Sequence, residues 1–555
     1  MAEQDLVFLP LGGSGEIGMN MNLYGLGHGE ARQWLMIDCG VMFGDHRSPG
    51  IDLICPDIDY ILGYKDNIAG LVLTHGHEDH IGAVALLAPL LGCPIYATAF
   101  TAALIRRKFD DRNEDMSALT ILEMGERFQI GDFDLELVTL THSIPEPSGV
   151  IIRTPLGTVL HTGDWKIDTD PALGPRTDAA KLTQLGDDGL LAMICDSTNV
   201  LSKGESGSEA TVREHLKRVI ADQRGRVAVT TFASNVGRVV SICEAARAVD
   251  RSVCLLGRSM LKLVDAAREA GILPDGLTFV SPEEAGFIPR EHVLYLCTGS
   301  QGEPRAALAR IARDDHRDLV LSTGDTVIFS SKIIPGNERD IFNLQNELVD
   351  LGIHIITEKD EPIHVSGHPC QDELAQMYQW ARPRFGIPVH GEARHLEAHA
   401  QFALEHGAEQ SISPRNGDLI RLAPGPLKRL DAVPAGRMTL DGDLLMPMGA
   451  RPVRERKKLT WAGACVASLV FHKNSTLAAA PGIALFGAPD EGDEGMKLHP
   501  EIIEEITACI QDMAPKSRLD DDAVTMVTKR AIRDVTTDLW GKRPVIDVLI
   551  HRIKS

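Results

Sequence analysis

Thr74-His75-Gly76-His77-Glu78-Asp79-His80 sets three histidines and two acidic residues directly after the apolar run Leu71-Val72-Leu73. In an extended segment alternate side chains share one side, so His75 and His77 can grip a single ion. Asp79 and His80 lie where the chain turns into the apolar segment Ile81 to Leu91. Two ligand pairs this close imply two metals, the pattern of a metal-dependent hydrolase. One histidine alone more often packs or caps than ligates; this grouping makes packing the poorer account.

The chain has 555 residues, too many for one ordinary core, and reads as about three or four globular domains. No run reaches the roughly 18 uninterrupted apolar residues of a membrane span. The start, Met1-Ala2-Glu3-Gln4-Asp5, lacks a secretory pattern, so a cytoplasmic protein with no membrane attachment is expected. Its ten cysteines are scattered and form no CxxC pair, so metal binding must rest on histidine and carboxylate. A net charge of −22 argues against a general basic coat for nucleic acid. Local patches remain, at Arg106-Arg107-Lys108 and in Arg454-Glu455-Arg456-Lys457-Lys458, although such runs are more often solvated faces.

Near the start, Gly13-Ser14-Gly15-Glu16-Ile17-Gly18 matches the GxGxxG fingerprint, with Asp38 about 20 residues on, where a ribose-binding acid would stand. The context fails. Asn20 to Gly25 alternates with period two, which predicts a β-hairpin where a dinucleotide fold needs a helix. Further on, Arg127 to Thr141 reads as a strand pair delivering His142, Thr158 to His161 as a strand before Gly163-Asp164, and Leu190 to Cys195 as a strand before Asp196.

From about Ser208 helices and short apolar strands alternate, which predicts a doubly wound parallel sheet. Glu303 to Ala312 is expected as a helix and Leu319 to Ser322 as a strand. Thr231 to Asn235, Thr298 to Ser300 and Ser322 to Asp325 would then all lie at the ligand-facing C-terminal edge. Past residue 355, strand-end histidines return in Ile363-His364-Val365-Ser366-Gly367-His368 and Ile387-Pro388-Val389-His390. A Pro- and Gly-rich stretch then precedes a final segment, with strand and helix character, from about Arg451.

These segments combine into one site: His75, His77 and His142 around one ion, Asp79, His80 and His390 around the other, and Asp164 bridging. Two ions about 3.5 to 4 Å apart can activate a shared water as hydroxide and stabilise in-line displacement at phosphorus. Hydrolysis of a phosphodiester follows; a lactam or thioester is open to the same attack.

The sequence resembles the metallo-β-lactamase fold through HxHxDH at 75 to 80, His142, Asp164 and His390. Its larger pattern resembles ribonuclease J of the β-CASP family, through LGGSGEIGMN, HSIPEP at 142 to 147, HTGDWK, CDSTN, TTFASNVGR, FSSKIIPGNE, HVSGH and PVHGE. The resemblance implies an α/β fold: an αββα sandwich (1–207 and 356–435), an inserted doubly wound β-CASP domain (208–355), a linker (436–450) and a small C-terminal α+β domain (451–555). It further implies two zinc ions, with manganese as an alternative. The activity would be 5′ to 3′ exonucleolytic or endonucleolytic hydrolysis of RNA, in RNA processing and mRNA decay. Asp196 and His368 would assist proton transfer to the leaving oxygen, and His390 at its motif position favours RNA over DNA. Ser234, Asn235, Ser331, His364 and Ser366 would line a pocket for the RNA backbone or a 5′ monophosphate. Single-stranded RNA, a homodimer or tetramer and RNA-degradation partners are the implied associations. Pro147 and Gly237 depart from the family pattern, and neither is a metal ligand.

Two other readings compete: a small-molecule hydrolase such as a lactonase or thioesterase, and a noncatalytic RNA-binding protein of the same fold. The long α/β sequence between Asp196 and His390 disfavours the first, and the complete ligand set disfavours the second.

Overall fold

The computed structural model describes residues 4–45 and 47–553. Two sheets of the larger unit face each other. The first has eight strands, Lys428–Ala432, Asp418–Ala423, Asp5–Gly12, Met21–Gly27, Gln33–Ile37, Ile68–Val72, Ile95–Thr98 and Leu119–Leu122 in spatial order. The second has seven, Arg127–Ile130, Phe133–Thr139, Ser148–Thr154, Gly157–His161, Ala192–Asp196, Phe385–Val389 and Gln410–Ser411. Phe8, Tyr24, Leu35 and Ile37 of the first pack against Leu135, Val150, Ile152, Ile194 and Ile387 of the second as one apolar core. Leu182, Leu374, Met377 and Ala403 of three helices cover the outer face of the second sheet, and helix Ala99–Arg112 packs on strands of the first. The layers are therefore αββα, as expected.

Strands Asp5–Gly12 and Met21–Gly27 pair antiparallel, Leu6 opposite Leu26 and Phe8 opposite Tyr24. The glycine-rich segment thus joins two strands, with no helix after it. Gly13, Gly15 and Gly18 have φ of 83°, 90° and 110°, values that side chains with a Cβ rarely adopt.

Between these layers in sequence lies a five-stranded parallel sheet, in the order Ser252–Leu256, Val293–Cys297, Val227–Thr230, Thr326–Phe329, His354–Ile356. Helices Glu209–Ala221, Val236–Arg247 and Arg258–Glu269 cover one face and Ala307–Ala312 and Glu338–Asp350 the other. Two expectations need correction. The strand predicted at Leu319 to Ser322 forms at Thr326–Phe329 instead, because Ser322 to Asp325 make a turn before the strand: Ser322 N and Arg226 N both donate to the buried Asp325 carboxylate. That turn therefore sits at the N-terminal edge, opposite the ligand-facing one. The helix expected from Glu303 begins only at Ala307, after the turn at Glu303 to Ala306.

Phe43–Ile54 and Met438 onward make a second compact unit. In it, helices Leu498–Asp512 and Asp521–Trp540 place Ile502, Ile506, Val524 and Ile532 against Cys465, Leu469 and Phe471 of a three-stranded sheet. Among the described residues no helix is long and apolar enough to cross a membrane.

Candidate metal centre and active site

Strand Ile68–Val72 ends just before Thr74, and the short helix Glu78–Ile81 begins after His77, so the chain presents His75 and His77 from an extended segment and Asp79 and His80 from a helical turn. His75 Nε2 and His142 Nε2 each lie 3.1 Å from His77 Nδ1. Asp164 Oδ2 lies 3.8 Å from His75 Nε2 and 3.9 Å from His142 Nε2. A tetrahedron of ligands 2.0 to 2.1 Å from zinc has edges of about 3.3 Å, close to these separations. Each ring is oriented by its other nitrogen: His75 Nδ1 by Thr74 Oγ1 at 3.0 Å, His142 Nδ1 by the Gly367 carbonyl at 2.5 Å, and His77 Nε2 by Ser234 Oγ at 3.1 Å.

A second group adjoins it. Asp164 Oδ2 lies 3.2 Å from His80 Nε2 and 3.4 Å from His390 Nε2, and Asp79 Oδ2 is 3.7 Å from both rings. Asp164 belongs to both groups, so the structure brings together all seven residues predicted as ligands. His390 follows strand Phe385–Val389 with φ of 52°, and Asp38 follows Gln33–Ile37 with φ of 64°. Non-glycine residues held in this region mark sites where the surroundings over-determine the backbone.

Asp38 is a site residue that sequence reasoning missed, having weighed it only as a decoy for nucleotide binding. It is fully buried, takes His80 Nδ1 at 2.7 Å and accepts from Thr74 N and Oγ1 at 2.8 and 2.9 Å. Asn20, in the same glycine-rich motif, was also missed; its Oδ1 meets His390 Nδ1 at 3.0 Å and its Nδ2 donates to the Asp79 carbonyl at 3.1 Å. The available signal was their position at strand termini, Asp38 just after Gln33–Ile37 and Asn20 just before Met21–Gly27.

The donor set fits cations. Asp164 Oδ1 and His390 Nε2 are buried with no hydrogen-bond partner among the described residues, a costly arrangement unless something electropositive meets them. Burial and the nearby His80 push His75 well below the usual imidazole range; burial and His77 do the same to His142, and burial takes His77 to about 4 despite Asp79. These rings are therefore neutral at pH 7, the form that ligates. Burial opposes ionisation of Asp164, but His390 and His80 hold its carboxyl well below the usual carboxylate range.

Beside these groups, His368 Nδ1 bonds Asp196 Oδ2 at 2.8 Å, while Asp196 Oδ1 accepts from Thr198 N and Oγ1, each at 2.8 Å. Burial disfavours the charged ring, yet the Asp196 charge and hydrogen bond prevail and raise His368 to about 9. Its ring stacks on His390 with centroids 5.5 Å apart. The remaining sequence-predicted residues occupy neighbouring loops with unequal freedom. Ser234 touches His77, and Ser366 Oγ accepts from Asn199 Nδ2 at 2.7 Å. His364 has a buried Nδ1 without a partner among the described residues, and burial and Arg238 take the ring to about 3. Ser331 is buried just past strand Thr326–Phe329. Asn235 has its side chain engaged: Oδ1 caps helix Val236–Arg247 and Nδ2 donates to Glu209.

Comparison with known proteins agrees with this arrangement. Family models match residues 33–187 (beta-lactamase superfamily domain), 224–348 (ribonuclease J, beta-CASP domain), 352–413 (Zn-dependent metallo-hydrolase RNA specificity domain) and 452–553 (ribonuclease J C-terminal domain). The chain is 46% identical to ribonuclease J of Sinorhizobium meliloti, over 99% of this chain and 98% of that one. It is 38% identical to ribonuclease J of Thermus thermophilus, over 78% and 77%. A crystal structure of a protein of unknown function from Enterococcus faecalis shares the fold, with a TM-score of 0.53 at 17% identity over 76% of this chain and 100% of that one. With identity this high along nearly its whole length and a metallo-hydrolase ligand set assembled in space, the chain belongs to the ribonuclease J family and is a ribonuclease.

Proposed function

We propose that the protein degrades single-stranded RNA from a 5′ monophosphate in the 5′ to 3′ direction, with endonucleolytic cleavage as a second mode of the same site. The observation that carries the reading is the convergence of His75, His77, His142, Asp79, His80 and His390 on the shared carboxylate of Asp164. Two divalent cations held by these residues, zinc or alternatively manganese, would lower the pKa of an attacking water and screen the phosphate charge.

The chain's own residues supply the rest. Asp196 engages His368 Nδ1, leaving Nε2 as the nitrogen to pass a proton to the departing oxygen, and the raised affinity of His368 for its proton keeps it an acid at neutral pH. Ser234, whose Oγ meets His77, would receive the RNA backbone and terminal phosphate together with Asn235, Ser331, His364 and Ser366, Asn235 by shaping its loop. The two metallo-β-lactamase segments (1–207, 356–435) and the β-CASP insert would share the larger unit, apart from Phe43–Ile54, which belong to the second. Self-association as a dimer or tetramer would use the C-terminal domain.

Incubating the protein and His80→Ala with 5′-monophosphate, 5′-triphosphate and circular RNA tests the reading. Metal-dependent release of mononucleotides from the monophosphate, lost in the variant, is expected. No cleavage by the parent would sink it.

A further inference from the structure

Three loops proposed to receive substrate meet on one buried residue, two of them on its side chain and the third on its backbone N–H. Arg238, in the first turn of helix Val236–Arg247, has no solvent exposure. Its Nη1 donates to the Ser330 carbonyl at 3.0 Å, the Ser330 hydroxyl at 2.8 Å and the Ile363 carbonyl at 3.1 Å. Its backbone N–H donates to Asn235 Oδ1 at 2.8 Å. Nε and Nη2 grip the two oxygens of Glu209 at 2.9 and 2.8 Å. The residues it holds are the chain neighbours of Ser234, Ser331 and His364.

Glu209 carries the connection toward the metal ligands. Its N–H donates to Asp168 Oδ2 at 2.9 Å, and Asp168 pairs with the buried Lys166 at 3.0 Å. Lys166 stands two residues past Asp164, and its N–H donates at 2.7 Å to the carbonyl of Thr141, next to His142.

We propose that Arg238 and Glu209 are a positioning pair that sets the separation between the 5′-phosphate pocket and the metal ligands, and with it the register of cleavage. This rests on the reading of the preceding subsection. A guanidinium presents its donors in a rigid planar fork, so three segments bound to one fork move as a unit. Glu209 neutralises the charge, and neither residue is exposed to reach RNA. An ordinary buried ion pair would serve stability alone, and its loss would weaken turnover of every RNA alike.

The test uses the full-length protein loaded with zinc, the pair Arg238→Met with Glu209→Gln, which leaves no lone buried charge, and the milder Ser330→Ala, which removes one acceptor of the fork. RNAs of one sequence bearing a 5′ monophosphate or a 5′ hydroxyl are compared for kcat/KM and product length. The paired variant is expected to lose about tenfold of the monophosphate preference and to release mixed products, with Ser330→Ala shifted the same way by less. Equal loss on both RNAs with product length unchanged would overturn the pair alone. Should the paired variant fail to fold, Ser330→Ala decides: an unaltered preference and register overturn the proposal. A parent that does not cleave RNA overturns the reading on which the pair rests.

Discussion

His80 bonds the fully buried Asp38 carboxylate through Nδ1 at 2.7 Å, which turns its Nε2 toward Asp164 Oδ2 at 3.2 Å. A carboxylate behind a ligating imidazole fixes the ring's tautomer and orientation and raises its basicity.

Asp38→Asn should therefore weaken metal binding by about 10- to 100-fold, with the fold retained. Titration of the metal-stripped protein with zinc measures this. Unchanged affinity would show that the Asp38–His80 bond has no part in ligation.

Asp196→Asn should retain metal content but lower kcat on RNA by about 10²- to 10⁴-fold, because His368 loses the charge that favours its acidic form. Metal analysis alongside single-turnover kinetics separates the two effects. Loss of metal in step with activity would make Asp196 a ligand instead.

Arg106 and Arg107 pair with Glu269 at 3.1 and 2.9 Å, and Lys108 pairs with Glu78 at 2.6 Å. This basic run is thus answered by its own chain. Arg106→Ala and Arg107→Ala should leave the salt dependence of RNA binding unaltered. A fall in the log–log slope of about 0.7 per residue would mean that each meets a phosphate.

His399 is buried between Ser197 Oγ at 2.8 Å and Tyr378 OH at 3.1 Å, and burial takes its pKa to about 4. The unfolded chain takes up the proton first, so the stability due to neutral His399 is whole above about pH 6.5 and is lost as pH falls toward 4, by about 3 kcal/mol. His399→Asn should flatten this acid limb by about one proton, as read from unfolding midpoints against pH. An identical limb in the variant would place the acid sensitivity elsewhere.

Much of the site was legible because its ligands sit at strand ends in recognisable local patterns. His142 and Asp164 follow strands Phe133–Thr139 and Gly157–His161 by a few residues, as turn signals and period-two alternation foretold. The strand at Thr326–Phe329 was misplaced because Leu319 to Ser322 is equally apolar; the difference is Asp325, whose buried carboxylate binds Arg226 and Arg290 and turns the chain first.

The amino-acid sequence by itself determined which side chains offer nitrogen and oxygen donors, and the order in which strands and helices carry them. Tertiary structure decided that Asp38 and Asn20 orient His80 and His390, and that Arg238 ties the distant Ser330 and Ile363 loops to Glu209. Ligand spacing within a strand or turn is a local property of the backbone. A hydrogen bond between Asn20 and His390 exists only because two sheets pack their apolar faces and bring strand ends 370 positions apart into one wall.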